Sequence, residues 1–341
     1  MPQSQKSNVS LKPYNTFGID VKTSQFAEAD SIESLRNILL QTDISKTPLL
    51  VLGGGSNILL MADFPGLVIL NQIKGIEVVS ENDKTLIVKA GGGERWHQFV
   101  LWAVEHNLGG IENLSLIPGS VGAAPIQNIG AYGVELKDSF HSLEALNIST
   151  GVVQTFTKEE CKFGYRNSVF KNELKGKYII TSVMFELKKN PVFNTSYGAI
   201  QSELQKNGIT ELSVKAISDA VIAIRRSKLP DPAEIGNAGS FFKNPEIEKS
   251  QFDVIHEKHH DIVHYPGADG KIKVAAGWMI EQCGWKGFRD GDAGCHAKQA
   301  LVLVNYGKAT GEQLYNLALK ISHSVQDKFG VTIEPEVNLI G

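Results

Sequence analysis

The segment 109–133 constrains the fold of this chain more than any other part of the sequence. It reads GGIENLSLIPGSVGAAPIQNIGAYG and contains six glycines and two prolines. Glycine is also abundant in the whole chain, at 33 of 341 residues, against a usual share of roughly 7%. Because both residue types interrupt regular helices and strands, we expect a long shaped loop here.

A second glycine-rich turn, Gly53–Asn57 (GGGSN), follows the apolar run 48–52. Backbone N–H groups in such a turn can approach a pyrophosphate closely. The turn lacks the dinucleotide-binding spacing G-x-G-x-x-G, because Ile58 takes the last glycine position, and the sequence has no phosphate-loop motif. By itself it is more often a plain tight turn. Together with 117–125 (IPGSVGAAP) it favours a flat or anionic ligand lying against backbone, with a long structural connection as the alternative.

Composition narrows the class of protein. The 34 basic and 37 acidic residues leave a formal charge of −3, so no large nucleic-acid or acidic-membrane surface is indicated. The cysteines Cys161, Cys283 and Cys295 are odd in number and form no C-x-x-C pair, which disfavours a disulfide framework and fits a reducing compartment. We find no secretory signal and no apolar run near the roughly 20 residues of a membrane span. We therefore expect a cytoplasmic protein with no nucleic-acid or membrane partner. Its expected partners are small molecules, and a monomer is expected although the sequence itself does not show the oligomeric state.

Hydrophobic periodicity predicts an α+β chain. Strands are expected at 48–52, 67–70, 84–90, 142–148, 152–156, 178–187, 239–244, 300–305 and 331–340. Helices are expected at 94–107, 213–228, 275–283 and after Thr310, which forms a capping-box pair with Gln313. The prolines of 229–232 (LPDP) mark a plausible boundary ahead of a C-terminal domain.

Two polar residues stand in segments that suggest chemistry. Arg166, in 161–168 (CKFGYRNS), could clamp a carboxylate with its planar guanidinium, although a surface arginine in a turn is the simpler interpretation. Ser240 lies between small residues and Phe241-Phe242. This arrangement would bring it close to a flat partner as a proton donor, with an ordinary strand hydroxyl as the alternative. The segment does not match the hydrolase elbow G-x-S-x-G.

Two further patterns are weaker. The segment 256–260 (HEKHH) matches the zinc-protease motif H-E-x-x-H, with Glu281 as a conceivable third ligand. Its polar central residues favour a solvated face instead, so we expect no metal site. Glu334 and Glu336 would share one face of the predicted last strand. A solvated pair is the usual interpretation, because a catalytic carboxylate needs a partner from elsewhere in the fold.

Taken in order, the motifs resemble one family, the UDP-N-acetylenolpyruvoylglucosamine reductases, which are flavoenzymes of peptidoglycan precursor synthesis and thereby of cell-wall biogenesis, cell shape and division. The resemblance covers nearly the whole chain. It rests on 15–19 (NTFGI), 53–57, 117–133, 163–166 (FGYR), 228–232 (KLPDP), 236–245 (GNAGSFFKNP), 299–303 (QALVL) and 334–337 (EPEV).

The resemblance implies a vanillyl-alcohol-oxidase-type (PCMH-type) FAD-binding fold of two subdomains plus a C-terminal α+β substrate domain. Residues 1–72 would form the first FAD-binding subdomain, with the strand of 331–341 packing back on it. Residues 73–228 would form the second FAD-binding subdomain and 229–330 the substrate domain. FAD would be bound without a covalent link, and NADPH would donate the hydride.

The resemblance also implies residue roles. Arg166 and Glu336 would stabilise the enolate that develops at the substrate carboxylate, and Ser240 would deliver a proton to C2. The residues implied at FAD are Gly53, Gly54, Gly55, Ser56, Asn57, Pro118, Gly119, Ser120, Gly122, Ala123, Ile126, Gly130, Tyr132 and Gly133. Those implied at the substrate are Tyr165, Tyr197, Lys228, Asn244 and Gln299.

Tyr197, in 194–198 (NTSYG), resembles the mobile-loop tyrosine of the type I branch. The chain departs from the family where Asn338 stands in place of the usual arginine, which leaves the local contact of that arginine open. Rival interpretations are a zinc hydrolase on His256 and His260, a flavin- or nucleotide-binding module without turnover, and an oxidase on the same fold.

Overall fold

The computed structural model describes residues 5–341, and these divide into two compact units. Unit 1 comprises the residues up to Val9 together with Thr23–Gly55 and Pro65–Ser227. Unit 2 comprises Ser10–Lys22, Ser56–Phe64 and Lys228–Gly341. The chain thus enters unit 2 twice before its C-terminal part. The division into three domains stays a prediction.

Helices and strands alternate irregularly along the chain. The helices are α1 Ile32–Leu40, α2 Trp96–Glu105, α3 Lys158–Cys161, α4 Gly198–Lys206, α5 Val214–Lys228, α6 Lys249–Lys258, α7 Ala276–Gln282 and α8 Gly311–Phe329. The strands are β1 Lys6–Ser10, β2 Lys22–Ala29, β3 Leu49–Leu52, β4 Ile58–Leu60, β5 Phe64–Asn71, β6 Ile76–Glu81, β7 Thr85–Gly91, β8 Gly130–Ala131, β9 Val134–Glu135, β10 Phe140–Asn147, β11 Val153–Thr157, β12 Tyr178–Lys188, β13 Gly236–Ser240, β14 Glu246–Ile247, β15 His264–Pro266, β16 Ile272–Val274, β17 Arg289–Asp290, β18 Ala293–Cys295, β19 Val302–Asn305 and β20 Asn338–Ile340.

Unit 1 is built on two larger sheets. One has the strand order β1-β2-β5-β3, and β3 pairs with β5 in parallel. The other has the order β11-β10-β12-β7-β6 and is antiparallel throughout. The apolar face of α1, with Leu35 and Ile38, packs in one core, and that of α2, with Trp96 and Phe99, packs in another against Phe185. Each helix therefore buries its apolar stripe on a sheet.

A smaller core in unit 1 joins the last two helices of the unit to a loop. Ile200 and Leu204 of α4 pack with Ile217 and Val221 of α5, and the ring of Tyr132 packs against this cluster. The loop residue Tyr132 is therefore tied to helices that follow it in the chain by more than 60 residues.

Unit 2 contains the sheet β13-β19-β18-β17, the small sheet β14-β16-β15 and the parallel pair β20-β4. Its longest helix, α8, begins at the predicted capping box. The Thr310 hydroxyl accepts the Gln313 N–H at 3.2 Å, and the Gln313 side chain accepts the Thr310 N–H at 2.9 Å. Gly330 ends α8 in the left-handed region at φ 68°, where glycine carries no side-chain penalty.

Most predicted elements are present with end shifts of one to three residues, and two predictions are wrong in part. The strand expected at 239–244 is β13, which ends at Ser240. The strand expected at 331–340 is regular only over β20. Pro335 has no N–H for a ladder, and the chain around it makes an isolated bridge to Phe242 instead. Among residues 5–341, no helix is long and apolar enough to cross a bilayer.

Candidate functional site

The two glycine-rich segments of unit 1 meet. A Cβ added to Gly54 would lie 2.7 Å from the Cα of Gly119, and one added to Gly53 would collide with the side chain of Ser120. Real Cβ atoms essentially never approach that closely. The absence of side chains at Gly53 and Gly54 is thus required for the two loops to pack against each other. The sequence predicted both loops but not this contact.

The second loop is held along the start of α2 by its own backbone. The N–H of Val121 donates to Glu94 at 2.8 Å, that of Gly122 to Gly92 at 2.8 Å, and that of Ala123 to Ser120 at 3.1 Å. These three N–H groups have acceptors within the protein. The expectation of free N–H groups is therefore not met at Gly122 and Ala123, and the place of these two residues at FAD stays a prediction.

Ser120 fits a polar ligand at this contact. Ser120 is buried, and its Oγ has no hydrogen-bond partner among residues 5–341. A buried hydroxyl without a hydrogen bond destabilises the folded protein by about 1–3 kcal/mol. Such a hydroxyl is therefore expected to bond a ligand that the ligand-free protein does not contain. The hydroxyl lies in the cradle formed with Gly53 and Gly54, where a phosphate or other polar group of FAD would satisfy it.

The rest of the predicted FAD segment forms a tight hairpin. Strands β8 and β9 are joined by Tyr132 at φ 51° and Gly133 at φ 79°. A left-handed φ is costly for tyrosine, and side chains hold it in place. Asn113 donates to the carbonyl of Tyr132 at 3.1 Å, and Asn194 donates to that of Gly133 at 2.9 Å.

Ile126 is exposed, and its carbonyl accepts the Ser168 hydroxyl at 2.7 Å. This bond ties the FAD segment to the segment that carries Arg166.

Arg166 lies at a second strained position in unit 1, at φ 50°. Reciprocal backbone hydrogen bonds between Gly164 and Asn167 close the turn around it. Its Nη2 donates to the carbonyl of Gly130 at 2.6 Å, and its guanidinium lies 5.6 Å from the ring centre of Tyr165. The predicted catalytic arginine is therefore fixed against the hairpin that starts at Gly130, by contacts that span 36 positions of sequence.

Arg225 was not predicted, and it joins this part of unit 1. Its Nε donates to the carbonyl of Leu116 at 3.2 Å, and its guanidinium lies near enough to the phenol of Tyr132 to interact with it electrostatically. Burial lowers the pKa of Arg225, and the charge of Arg166 lowers it further. The ring of Tyr132 meets that of Tyr197 edge-on with centroids 5.2 Å apart. The available sequence signal was that Arg225 continues the face of α5 that carries buried Val221.

His97 and Arg225 together hold Leu116, a non-glycine residue at φ 58°. The Leu116 N–H donates to Nδ1 of His97 at 3.0 Å. Burial lowers the pKa of His97, and the charges of Arg226 and Arg225 lower it further. A neutral imidazole is required for this bond, because Nδ1 must accept. The strained Leu116 backbone directly precedes the 117–125 loop.

Ser240 of unit 2 stands at the end of β13, which is irregular between Asn237 and Ser240. Buried Asn237 accepts the N–H of Gly239 at 3.0 Å, and Gly239 takes φ 70°. The small residues before Ser240 therefore form a bulge that reorients it. Phe241 and Phe242 are buried in unit 2, with ring centroids 5.2 Å apart. Both rings fill a core and so offer no surface to a ligand themselves. The expectation that Ser240 lies close to a flat partner stays a prediction.

Glu336 is positioned by backbone pairing in unit 2. Its N–H donates to the carbonyl of Phe241 at 2.7 Å, next to Ser240 in the chain. The residue is half-buried, whereas Glu334 is exposed with Lys243 at 3.5 Å. The structure thus separates the two glutamates by environment and places Glu336 beside the predicted proton donor.

Asn338 connects the C-terminal strand to Asn57. Both its backbone N–H and its Nδ2 donate to the carbonyl of Asn57 at 3.0 Å. Asn57 in turn donates through Nδ2 to the carbonyl of Glu336 at 3.3 Å. The amide of Asn338 thus holds Asn57, the last residue of the GGGSN turn.

Two predicted substrate residues meet at the start of α7. Asn244 Oδ1 accepts the N–H of Ala276 at 3.0 Å. A Cβ on Gly277 would lie 3.2 Å from Oε1 of Gln299. One oxygen of Asn244 therefore serves the helix, which leaves its amide nitrogen for a ligand. Lys228, the last residue of α5, is exposed.

The H-E-x-x-H motif does not form a helical pair. Helix α6 ends at Lys258, so His260 lies outside the helix that carries His256, and the rings are 5.7 Å apart. Within the described part of the chain, no group of three or more His, Cys, Asp or Glu side chains could hold a metal ion. The three cysteines are free, and Cys161 and Cys295 are buried.

Comparison with known proteins places the chain first in a broad class. Residues 23–157 match the family described as FAD binding domain, which is the region that carries both glycine-rich loops of unit 1. Residues 231–340 match the C-terminal domain of UDP-N-acetylenolpyruvoylglucosamine reductase. The two matches define an FAD-binding protein with a specialised C-terminal domain.

Relatives of nearly equal length are more specific. The chain is 54% identical over 336 residues to the UDP-N-acetylenolpyruvoylglucosamine reductase of Flavobacterium johnsoniae, covering 98% of this chain and 99% of that protein. It is 50% identical to that of Chromobacterium violaceum, covering 97% of each. The chain belongs to the UDP-N-acetylenolpyruvoylglucosamine reductase family.

The crystal structure of the reductase from Thermus caldophilus superposes with a TM-score of 0.69 at 23% identity, covering 99% of this chain and all of that one. This likeness concerns the fold. The predicted family, α+β FAD-binding fold and FAD cofactor are confirmed. The residue roles stay predictions.

Proposed function

We propose that this chain reduces the enolpyruvyl ether of UDP-N-acetylglucosamine to UDP-N-acetylmuramate with NADPH as reductant and FAD as cofactor. The observation that carries the proposal is identity of 54% to a reductase of this name over almost the whole of both chains. The activity belongs to peptidoglycan precursor synthesis. The physical part of the proposal is which residues of this chain hold the cofactor, stabilise charge and deliver the proton.

When bound, FAD would supply the hydride-transfer chemistry between NADPH and C3 of the substrate. The residues that would hold it are Gly53–Asn57 and the 118–133 segment. The Ser120 hydroxyl is the donor whose partner is missing in the free protein. The packing of Gly54 on Gly119 sets the spacing of the two loops. The glycines thus give the FAD site its shape. The hydrogen bonds to FAD would come from the few polar groups that have no partner in the protein.

Arg166 stabilises the negative charge that develops at C2 and spreads into the carboxylate. A guanidinium stays protonated throughout, and its hydrogen bond to Gly130 at 2.6 Å restrains it before substrate arrives. A donor that needs no reorientation is worth more in the transition state than a mobile one. The strained φ of Arg166 is consistent with a residue held for function.

Ser240 donates the proton to C2. A serine is a weak acid, so it can act only on a strongly basic, carbanion-like centre. The bulge at Gly239 fixes its position. Glu336, when protonated, donates a hydrogen bond to the carboxylate oxygens and so shares the work of Arg166. The bond balance is complete: C3 receives the hydride, C2 receives the serine proton, and solvent returns a proton to the hydroxyl.

The nucleotide-sugar part of the substrate has its own contacts. Lys228 is a point charge suited to the diphosphate. The amide nitrogen of Asn244 and the side chain of Gln299 supply hydrogen bonds. Tyr165 and Tyr197, each more than a third exposed, supply aromatic contact, and the segment that carries Tyr197 favours the type I branch.

Two half-reactions test the proposal. The purified protein should be yellow and should lose visible absorbance with NADPH without oxygen. Addition of the enolpyruvyl substrate should restore it. Ser240→Ala should keep the first step and block the second, with Ser240→Thr as the hydroxyl-retaining control. Colourless protein that stays colourless with added FAD would refute the function, and equal loss of both steps would refute the role of Ser240.

We further propose a monomer in the cytoplasm. The free, partly buried cysteines support a reducing compartment. Light scattering during size-exclusion chromatography checks the mass against 37.2 kDa, and a stable dimer would contradict the monomer.

A further inference from the structure

An arginine of α5 lacks the partner that a half-buried cation needs. Over residues 5–341, Arg225 forms no ion pair with a carboxylate, and its interactions are those with Leu116, Tyr132, Arg166 and His97. A cation withdrawn from water without a counter-charge is destabilising. One of its five N–H donors is used, on the carbonyl of Leu116. At least two more remain for a ligand.

The charge around Arg225 makes an anion the matching ligand. Arg166 repels it, and Arg226 and Arg225 both act on His97. Three guanidinium groups therefore contribute positive potential to this side of unit 1. The phenol of Tyr132 lies near enough to the Arg225 guanidinium to interact with it, so one ligand can meet both groups. An oxyanion can take both the free guanidinium donors and this hydroxyl.

We infer that Arg225, together with the hydroxyl of Tyr132, is an oxyanion-binding pair that adds a second ligand contact beside Arg166. The inference rests on the proposed function, because the available oxyanions are the carboxylate or phosphates of the enolpyruvyl substrate and the phosphates of NADPH. Arg225 is a binding and positioning residue in this scheme, and the proton and hydride steps do not pass through it.

Arg225→Met tests the pair, since it keeps an unbranched stem that can pack in the same place and removes the guanidinium with its charge. The control is Lys215→Met, which removes from the same helix an exposed cation that pairs with Asp219 outside the site, and it should leave both half-reactions at wild-type values. We expect Arg225→Met to raise the apparent Kd of one reactant by about 10- to 100-fold, the range for a charged hydrogen bond, with flavin content retained. A rise for the enolpyruvyl substrate assigns the oxyanion to that substrate, and a rise for NADPH assigns it to the dinucleotide.

Thermal melting of the holoprotein, without NADPH or substrate, distinguishes a ligand-binding role of Arg225 from a purely structural one. Removal of Arg225 relieves an uncompensated charge but also loses the bond to the Leu116 carbonyl. If Arg225 serves a ligand, these effects oppose each other, and the Tm of Arg225→Met should stay near that of wild type. Arg225→Lys and Tyr132→Phe, which keep more of the packing, should show smaller rises of the same Kd. Wild-type Kd values for both reactants in Arg225→Met, or a lowered Tm as the sole change, would overturn the inference.

Sulfate, used as a probe oxyanion, tests the anion site at Arg225 independently of the proposed reaction. Sulfate should raise the Tm of wild-type holoprotein more than that of Arg225→Met. If NADPH and substrate produce no turnover while this difference persists, the proposed function fails and the anion site stands. If turnover is normal and sulfate, NADPH and substrate all bind Arg225→Met as they bind wild type, the anion site fails alone.

Discussion

Replacing Gly54 with alanine should damage both stability and FAD binding, although it adds one methyl group. The new Cβ would lie 2.7 Å from Gly119 Cα and 3.2 Å from Gly119 C, whereas ordinary contact begins at 3.4 Å. The obstacle is backbone, which cannot turn aside as a side chain does. One loop must therefore move by about 0.7 Å, a shift of the size that overpacked cores resist at a cost of about 1–3 kcal/mol.

The two ways of absorbing this strain have separate readouts. If the loops stay together, the free energy of unfolding falls and the Tm drops by about 2–12 °C, at 2–4 °C per kcal/mol for a unit of this size. If the loops separate, Ser120 and Gly54 no longer share a cradle, and the Kd for FAD rises by about 5- to 150-fold. If the loops separate only in part, the same strain energy appears partly as a lower Tm and partly as a higher Kd for FAD.

The assay is titration of apoprotein with FAD by flavin fluorescence, together with thermal melting of the apoprotein. Gly198→Ala is the matched control, because a Cβ there would meet nothing within 4 Å and the residue begins helix α4. Its Tm should be unchanged or slightly higher, since alanine favours helix. A Gly54→Ala protein with wild-type Tm and wild-type FAD affinity would refute the packing argument.

Two further predictions concern stability. Thr310→Ala should lower the free energy of unfolding by about 0.5–2 kcal/mol, because it removes half of the capping box of α8; urea denaturation measures the loss, Thr310→Ser should recover most of it, and equal stability of all three proteins would contradict it. His97 has a lowered pKa in the fold, so the unfolded chain, with an ordinary histidine pKa of about 6.5, binds the proton more readily. Stability should therefore decline as the pH falls below about 6.5 and level off below the folded pKa. His97→Gln should flatten this part of the Tm–pH curve, exposed His141→Gln should not, and parallel curves for all three proteins would exclude His97 as the source.

The elements that depend on local pattern were predictable from the sequence. Helices α2, α5 and α8 follow the apolar spacing of 3.6 residues that is typical of a helix. The N-terminus of α8 is also indicated by the capping-box residues Thr310 and Gln313. Strands such as β3 and β12 are short apolar runs ended by turn residues. The family resemblance depended on the order of motifs, which is a property of the sequence and needs no contact between them.

The site depended on contacts between distant positions. Gly54 meets Gly119, Arg166 reaches Gly130, and Arg225 reaches Leu116 across 109 positions. No local pattern encodes such pairs, because they arise only when cores bury the elements between them. For the same reason the sequence could not show that Phe241 and Phe242 are core residues.

The sequence by itself therefore determined that the chain is an α+β flavoprotein of one family with two glycine-rich loops. The tertiary structure decided what those glycines do: they allow backbone to touch backbone at Gly54 and Gly119, while the N–H groups of Gly122 and Ala123 are consumed within the protein. It also decided which polar groups remain available, with Ser120 Oγ unsatisfied and Arg225 without a carboxylate over the described residues. The physical reason is that hydrogen bonding and charge compensation are settled by every neighbour in space, and a residue's neighbours in space are known only after the chain has folded.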